Sequence, residues 1–226
     1  MKVLSPVSHR PYLVALNLIG KPCLVVGGGW VAAGKVEGLL KAGASVTVVS
    51  PDLVPALARK AEEHRIDHRP RLFAPSDLEG CFLAVSATDD SAVNDWVVRE
   101  ARRRQVLASS ADGGESDFSS TAVVERGELR LAVSTGGRSP AFARWVGEQL
   151  EEDIPAGYGA LLEIAGQLRA EFSSGSIPPY SAWREALSAD VLALVQSGNH
   201  DAARDLLRSR LLQAASPPAN QRLAAD

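Results

Sequence analysis

The sequence predicts an α/β protein: a doubly wound parallel sheet, followed by a small α+β segment and a small helical domain. Three observations predict it. Between Lys21 and Ala111 short apolar runs alternate with helical stretches, the order produced when crossover helices cover both faces of a parallel sheet. The runs are continuously apolar rather than alternating, as strands buried on both faces require. After Ala111 the rhythm changes to a polar loop, a hairpin pattern and then helices alone.

The first strand, "PCLVVG", leads into a helix over Val31–Ala42, a strand "SVTVVS" and a helix from Leu53 to His64. A weaker strand at "IDHRPRLF", a strand "CFLAVSA", a helix from Ser91 to Arg104 and a strand "QVLASSA" complete the alternation. "DGGESDFSS" reads as a polar loop, and "TAVVERGELRLAVST" as two strands joined at Arg126 and Gly127. In "GGRSPAFARWVGEQLEE" a helix starts with Ser139 as N-cap and Pro140 in the first position, where a missing N–H does no harm and φ is already helical. Apolar residues then recur at helical spacing in "YGALLEIAGQLRAEF", "SAWREALSADVLALVQ" and "HDAARDLLRSRLLQ". The final "SPPANQRLAAD" has no periodic apolar face and reads as a loose tail. The segments are therefore 1–112, a sheet domain; 113–152, a dimerisation segment; 153–215, a small helical domain; and 216–226, a flexible tail. The paired strands and helix of the second segment are too short to bury both faces alone, which predicts a homodimer.

At 226 residues and 46% hydrophobic composition the chain can bury a sizeable core. A net charge of -3 argues against a nucleic-acid partner, and the one basic run, Arg102–Arg104, follows a helical pattern that puts it on a solvated face. No segment reaches the roughly 18 apolar residues a spanning helix needs, and the amino end has no signal-peptide layout. The expected location is the cytoplasm, with no membrane partner. Cys23 and Cys81 lie among strand-like apolar residues and read as buried reduced thiols.

Gly27, Gly29 and Ala32 fit G-x-G-x-x-G/A between a strand and a helix. Glycine lets backbone approach a pyrophosphate, and the helix that follows offers unpaired N–H groups and the positive end of its dipole. The alternative is a tight turn that binds nothing, but strand, turn, helix and second strand all agree with a dinucleotide site. Asp52, beside Pro51 at the end of the second strand, is the acidic candidate for the ribose hydroxyls, or else the cap of the helix near Leu53. No arginine stands at that strand end to meet a 2′-phosphate, which favours NAD over NADP. Trp30 is either a lid over core side chains or a wall of the cofactor site.

Four ordered motifs, "GKPCLVVGGGWVAAGKVEGLLKAGASVTVVSPDL", "AVSATDDSAVN", "SSADGGESDF" and "LAVSTGGRSPAFARWVGEQLE", resemble the precorrin-2 dehydrogenase family, including the amino-terminal module of siroheme synthase. The resemblance runs from about Tyr12 to about Leu150 and continues more faintly beyond. It implies a Rossmann domain, a dimerisation segment and a small helical domain, with NAD as cofactor and precorrin-2 as the substrate oxidised to sirohydrochlorin. Some members also insert ferrous iron. The resemblance further implies that Trp30, Val31, Pro51 and Asp52 contact the dinucleotide, that Thr88 in "ATDD" meets it, and that Asp112 serves in catalysis. Thr135 in "STGGRSP" matches a position where some members have serine.

Two departures stand out. The family commonly has an arginine where this chain has Gly34, and fused siroheme synthases carry a methyltransferase module for which the chain, ending at Asp226, has no room. An Asp112 base requires either a pKa raised by partial burial or a positioning that does most of the work, because an unperturbed aspartate is weak. Gly136, Gly137 and Arg138, at the start of the Ser139 helix, form a second candidate anion site for the substrate's carboxylates; the alternative there is a plain strand-to-helix connection. His9, His64, His68 and His200 make no tight metal-ligand set. The rival reading is an NAD-sensing regulatory protein without catalysis.

Overall fold

In a computed structural model, which describes residues 11–173 and 177–215, the chain divides after Ser120 into two compact units. His9 and the 216–226 tail lie outside the described residues.

The first unit carries the parallel sheet. Its strands are β1 (Pro22–Val26), β2 (Ser45–Val49), β3 (Asp67–Arg69), β4 (Leu83–Ser86) and β5 (Leu107–Ser110), in the order β3-β2-β1-β4-β5. Helices α1 (Trp30–Lys41), α2 (Pro55–Glu62) and α3 (Ser91–Arg103) connect them, with a 3-10 turn at Pro75–Leu78. Alternate β1 side chains show why every strand position must be apolar. Cys23 and Val25 pack with Ala32 and Val36 of α1 and Leu57 of α2. Leu24 and Val26 pack on the other face with Val97, Val98 and Ala101 of α3. The crossovers thus change faces between β1 and β4, and the carboxyl ends of those two strands are the switch point where doubly wound folds open a crevice.

The predicted alternation holds, with trimmed ends. β3 shrinks to three residues, because Pro70 has no N–H to continue a ladder. Helix α2 starts at Pro55, two residues later than predicted, after an extended Val54. Cys23 is buried and Cys81 half-buried, both free thiols; burial, and then Cys81, push the Cys23 pKa up to about 11.

The loop after β5 folds back on the sheet unit. Asp117 N donates to Ala108 O at 2.7 Å and Ala108 N to Asp117 Oδ2 at 3.0 Å. Phe118 packs on the α1 face, and Lys35 Nζ donates to Ser120 Oγ at 2.9 Å.

The second unit begins with an antiparallel pair, β6 (Ala122–Arg126) and β7 (Leu129–Val133), turning at Gly127 and Glu128 rather than at Arg126 and Gly127. Helix α4 (Pro140–Asp153) covers the pair and turns Gly147 toward Ala122 and Val124. Helices α5 (Gly157–Phe172), α6 (Tyr180–Ala186), α7 (Ala189–Gln196) and α8 (His200–Ala215) gather around Leu161, Ile164, Leu168, Val191, Val195, Leu207 and Leu211. The stretch read as "SAWREALSADVLALVQ" is two helices, broken where Ser188 takes an extended conformation.

Candidate active site

The site grows from the carboxyl edge of the sheet, where the chain leaves β1, β2, β4 and β5. Lateral hydrogen bonds continue past the strand ends: Gly27 N to Val49 O at 2.9 Å, Ala87 N to Val26 O at 2.8 Å and Ala111 N to Ser86 O at 2.8 Å. The four exits are therefore fixed relative to one another before any side chain is considered.

The three glycines of the turn do different work. Gly27 has φ +120, and a Cβ there would collide with the Ala87 carbonyl that follows β4. Gly28 would strike the Asp52 carbonyl that follows β2, and its own carbonyl accepts from Val54 N at 2.9 Å. These two allow backbone segments to touch. Gly29 is different, since a Cβ there would meet nothing within 4 Å. It is the N-cap of α1, which has no side-chain cap and no acidic residue in its first turn. An uncapped helix start with open space before it fits an anion. An anion therefore has room at Gly29 and the first N–H groups of α1, while the lack of a Cβ at Gly27 lets the turns after β1 and β4 touch.

Trp30 is 70% exposed and Val31 is exposed beside it. That exposure excludes the reading of Trp30 as a lid over the core. Pro51 and Asp52 are exposed at the exit from β2. Asp52 does not cap α2, whose N-cap is Val54 with no side-chain bond. Asp90, by contrast, caps α3, accepting from Ala92 N at 2.8 Å and Val93 N at 3.3 Å.

Asp112 follows β5 and is exposed. Its Oδ1 accepts from Ser110 Oγ at 2.5 Å and from Gly114 N at 3.1 Å, and its Oδ2 accepts from Asn94 Nδ2 at 2.8 Å. These donors, Ser110 first and then Asn94 and Gly114, hold its pKa down at about 2. Of the two alternatives, a pKa raised by burial is excluded: the carboxylate is open to solvent and accepts three hydrogen bonds, which favour its charged form.

Asn94 carried no role in the sequence reading. It is 1% exposed and ties Asp112 to Thr88: Nδ2 also donates to Thr88 O at 3.0 Å, and Oδ1 accepts from Thr88 N at 3.1 Å and Thr88 Oγ1 at 2.8 Å. Ser86 Oγ adds a donor at 2.5 Å. The signal available was a polar residue in the apolar stripe of a helix, since Asn94, Val97, Val98 and Ala101 share the buried face of α3.

Thr135, Gly136, Gly137 and Arg138 belong to the second unit. Thr135 Oγ1 accepts from Ser139 N at 3.2 Å, Gly136 N donates to Ser134 Oγ at 3.3 Å and Arg138 N to Thr135 O at 3.2 Å. Ser139 caps α4 through Phe142 N at 3.1 Å. Most donors of this turn are engaged by the turn itself, and the exposed Arg138 guanidinium is its free-standing feature. Helix α2 ends at Glu62, so His64 and His68 do not share it; His64 takes φ 55 and His68 Nε2 lies 2.9 Å from Ser50 O. Among the described residues no group of three or more His, Cys, Asp or Glu is arranged to hold a metal ion, and no helix is long and apolar enough to cross a membrane.

A family model of NAD(P)-binding domains matches residues 14–122, and the model of the sirohaem biosynthesis protein central region matches 126–152. Siroheme synthase of Methylobacillus flagellatus is 40% identical over 203 residues, 88% of this chain and 43% of the relative. Siroheme synthase of Chromobacterium violaceum is 39% identical over the same shares. The chain thus spans less than half the length of these relatives. The solved structure of SirC, a precorrin-2 dehydrogenase, superimposes with a TM-score of 0.67 at 26% identity, covering 90% of this chain and 98% of that one. An NAD-type glycine turn, an ionised aspartate after β5 and a sirohaem-type central segment follow one another in this chain, which is a relative of precorrin-2 dehydrogenase and of the corresponding part of siroheme synthase.

Proposed function

We propose that this chain catalyses the NAD-dependent oxidation of precorrin-2 to sirohydrochlorin. The observation that carries the reading is the ionised Asp112 carboxylate at the carboxyl edge of the sheet, tied through one amide to the Thr88 turn beside Gly27. The reaction removes a hydride and a proton, and bound NAD supplies the hydride acceptor. Gly27, Gly29, Trp30, Val31, Pro51, Asp52 and Thr88 are the residues that would hold it.

Asp112 has two tasks. Loss of hydride leaves positive charge on the macrocycle, and a fixed carboxylate stabilises that charge as it develops. The same charge acidifies the neighbouring C–H, so that a weak base suffices to take the proton. With its pKa at about 2 the carboxylate is in the accepting form at neutral pH, and placement rather than basicity supplies most of its effect. The substrate's acetate and propionate groups require cations, for which the exposed Arg138 is the candidate.

The functional unit in this reading is a cytoplasmic homodimer. Support for the dimer is the second unit's uncovered apolar surface: Val123 on β6, and Phe142 and Trp145 on α4, are all exposed, the last two with ring centroids 5.6 Å apart. Sedimentation at micromolar concentration reports a dimer; a monomer alone overturns it.

The test is anaerobic incubation of purified protein with precorrin-2 and NAD, following NADH and the sirohydrochlorin spectrum. Wild type turns over, and Asp112→Asn loses about 10²–10⁴-fold in kcat. Wild type that binds NAD yet leaves precorrin-2 untouched refutes the dehydrogenase and returns the sensor.

A further inference from the structure

Asn94 is the one polar side chain on the buried face of α3, and nothing in the packing of that helix requires it. A leucine or valine there would extend the stripe of Val97, Val98 and Ala101 without burying a polar group. Instead the amide saturates its hydrogen-bonding capacity. Both Nδ2 protons are donated, to Asp112 Oδ2 at 2.8 Å and to Thr88 O at 3.0 Å. Its Oδ1 is approached by Ser86 Oγ, Thr88 N and Thr88 Oγ1, at 2.5, 3.1 and 2.8 Å. Three points at two exits are therefore joined by one group: the last residue of β4, the turn after it, and Asp112 two residues past β5.

We propose that Asn94 is the positioning residue of this site, a buried amide that holds the Asp112 carboxylate and the Thr88 turn in one fixed relation. This rests on the dehydrogenase reading for its purpose, though not for its geometry. A buried amide with both donors committed has one low-energy orientation, because rotating it by half a turn would face Nδ2 toward three donors and Oδ1 toward a carboxylate and a carbonyl. The carboxylate thereby inherits the rigidity of the helix and the sheet, although it is itself exposed on a loop. The charged residues on the adjoining segments are Asp89 and Asp90 before α3, Asp95 on α3, and Glu115 and Asp117 in the loop after β5, the last two bonded to Arg102. All are acidic apart from that arginine. Neutral donors therefore carry the task of keeping the Asp112 charge in place.

An isosteric change isolates the role. Asn94→Asp keeps the acceptor for Ser86 and Thr88 but puts a second carboxyl oxygen against Asp112 Oδ2. Two carboxyls at that separation share a proton. Carbon-13 NMR of the full-length protein then shows a carboxyl titration two or more pH units above that of wild-type Asp112. With precorrin-2 and NAD, kcat of the variant falls about 10²-fold at neutral pH, and the loss deepens as pH is lowered through the new midpoint, while KM for NAD changes less than tenfold. A merely structural asparagine predicts parallel losses in both constants and a kcat loss that does not follow the new titration.

A second measurement needs no Asn94 variant. In wild type at pH 7 the Asn94 side-chain amide exchanges with solvent at least tenfold more slowly than in Asp112→Ala. Equal exchange rates in those two proteins, or an Asp112 titration unmoved in Asn94→Asp, overturn the proposal whether or not precorrin-2 is a substrate. Absence of turnover in wild type with the titration shifted as stated refutes the dehydrogenase alone.

Discussion

Two carboxylates of the sheet unit, Asp77 and Asp112, are both held at a pKa of about 2, by opposite means. Asp77, in the 3-10 turn, is 3% exposed. Burial pushes it up, and Arg71, Ala74 N and Arg69 outweigh that push: Arg71 grips both oxygens at 2.5 and 2.8 Å, Arg69 Nη1 lies 2.7 Å from Oδ1 and Ala74 N 2.9 Å from Oδ2. Asp112 is exposed and its partners are a hydroxyl, an amide and a backbone N–H. The difference separates a charge cancelled within the fold from a charge left uncancelled at the sheet edge. Two guanidinium groups cancel Asp77 and join β3 to the turn. Neutral donors fix Asp112 in place and cancel nothing, so its field reaches whatever occupies the crevice.

The sharpest way to break this contrast is to neutralise each carboxylate in turn. Asp112→Asn costs about 10²–10⁴-fold in kcat and leaves the urea midpoint near that of wild type. Asp77→Ala leaves the two arginines without their partner and costs about 3 kcal/mol, the lower end for breaking a buried pair because both arginines reach solvent. Its kcat per folded molecule stays within a few-fold of wild type. A larger rate loss at Asp77 than at Asp112 would erase the distinction.

Acid sharpens the comparison further. Both folded-state pKa values lie below the unfolded value; solvent screens the exposed Asp112, whose share of stability is small, whereas buried Asp77 contributes stability that is fully present above about pH 4 and is lost as pH falls toward about 2. For Asp77 the shift from 3.8 to about 2 corresponds to about 2 kcal/mol. Urea midpoints measured from neutral pH down to about pH 2.5 should show that increment in wild type and not in Asp77→Ala. An identical acid dependence in both would place the stabilising charge elsewhere.

What was legible in the sequence follows the same division. The sheet could be read because strands buried on two faces must be continuously apolar, and because a strand-glycine-helix turn has few other uses. The candidacy of Asp112 and of the cofactor residues rests on the order of motifs. Their environment did not, since a pKa depends on which groups converge in space. Asn94 lies 18 residues from Asp112, and only the adjacency of β4 and β5 brings them together. Gly28 has no marked place in the motif, although a Cβ there would come closer to the Asp52 carbonyl than one at Gly27 would to the Ala87 carbonyl. The break at Ser188 was missed because the apolar spacing runs through it.

Gly34 gives the smallest effect and a clean one. It stands where the family commonly has arginine, is exposed on α1, and a Cβ there would meet nothing within 4 Å. A glycine inside a helix costs about 0.5–1 kcal/mol relative to alanine, so Gly34→Ala raises stability by that amount in urea denaturation. Gly34→Arg gains slightly less from propensity but adds a cation in the first turns of α1, near the candidate anion site at Gly29. If the dinucleotide lies at that helix start, the arginine variant binds NAD more tightly than the alanine variant does, and added salt narrows the gap. Equal affinity in the two would mean that position 34 faces away from the crevice and that its glycine affects only the stability of α1.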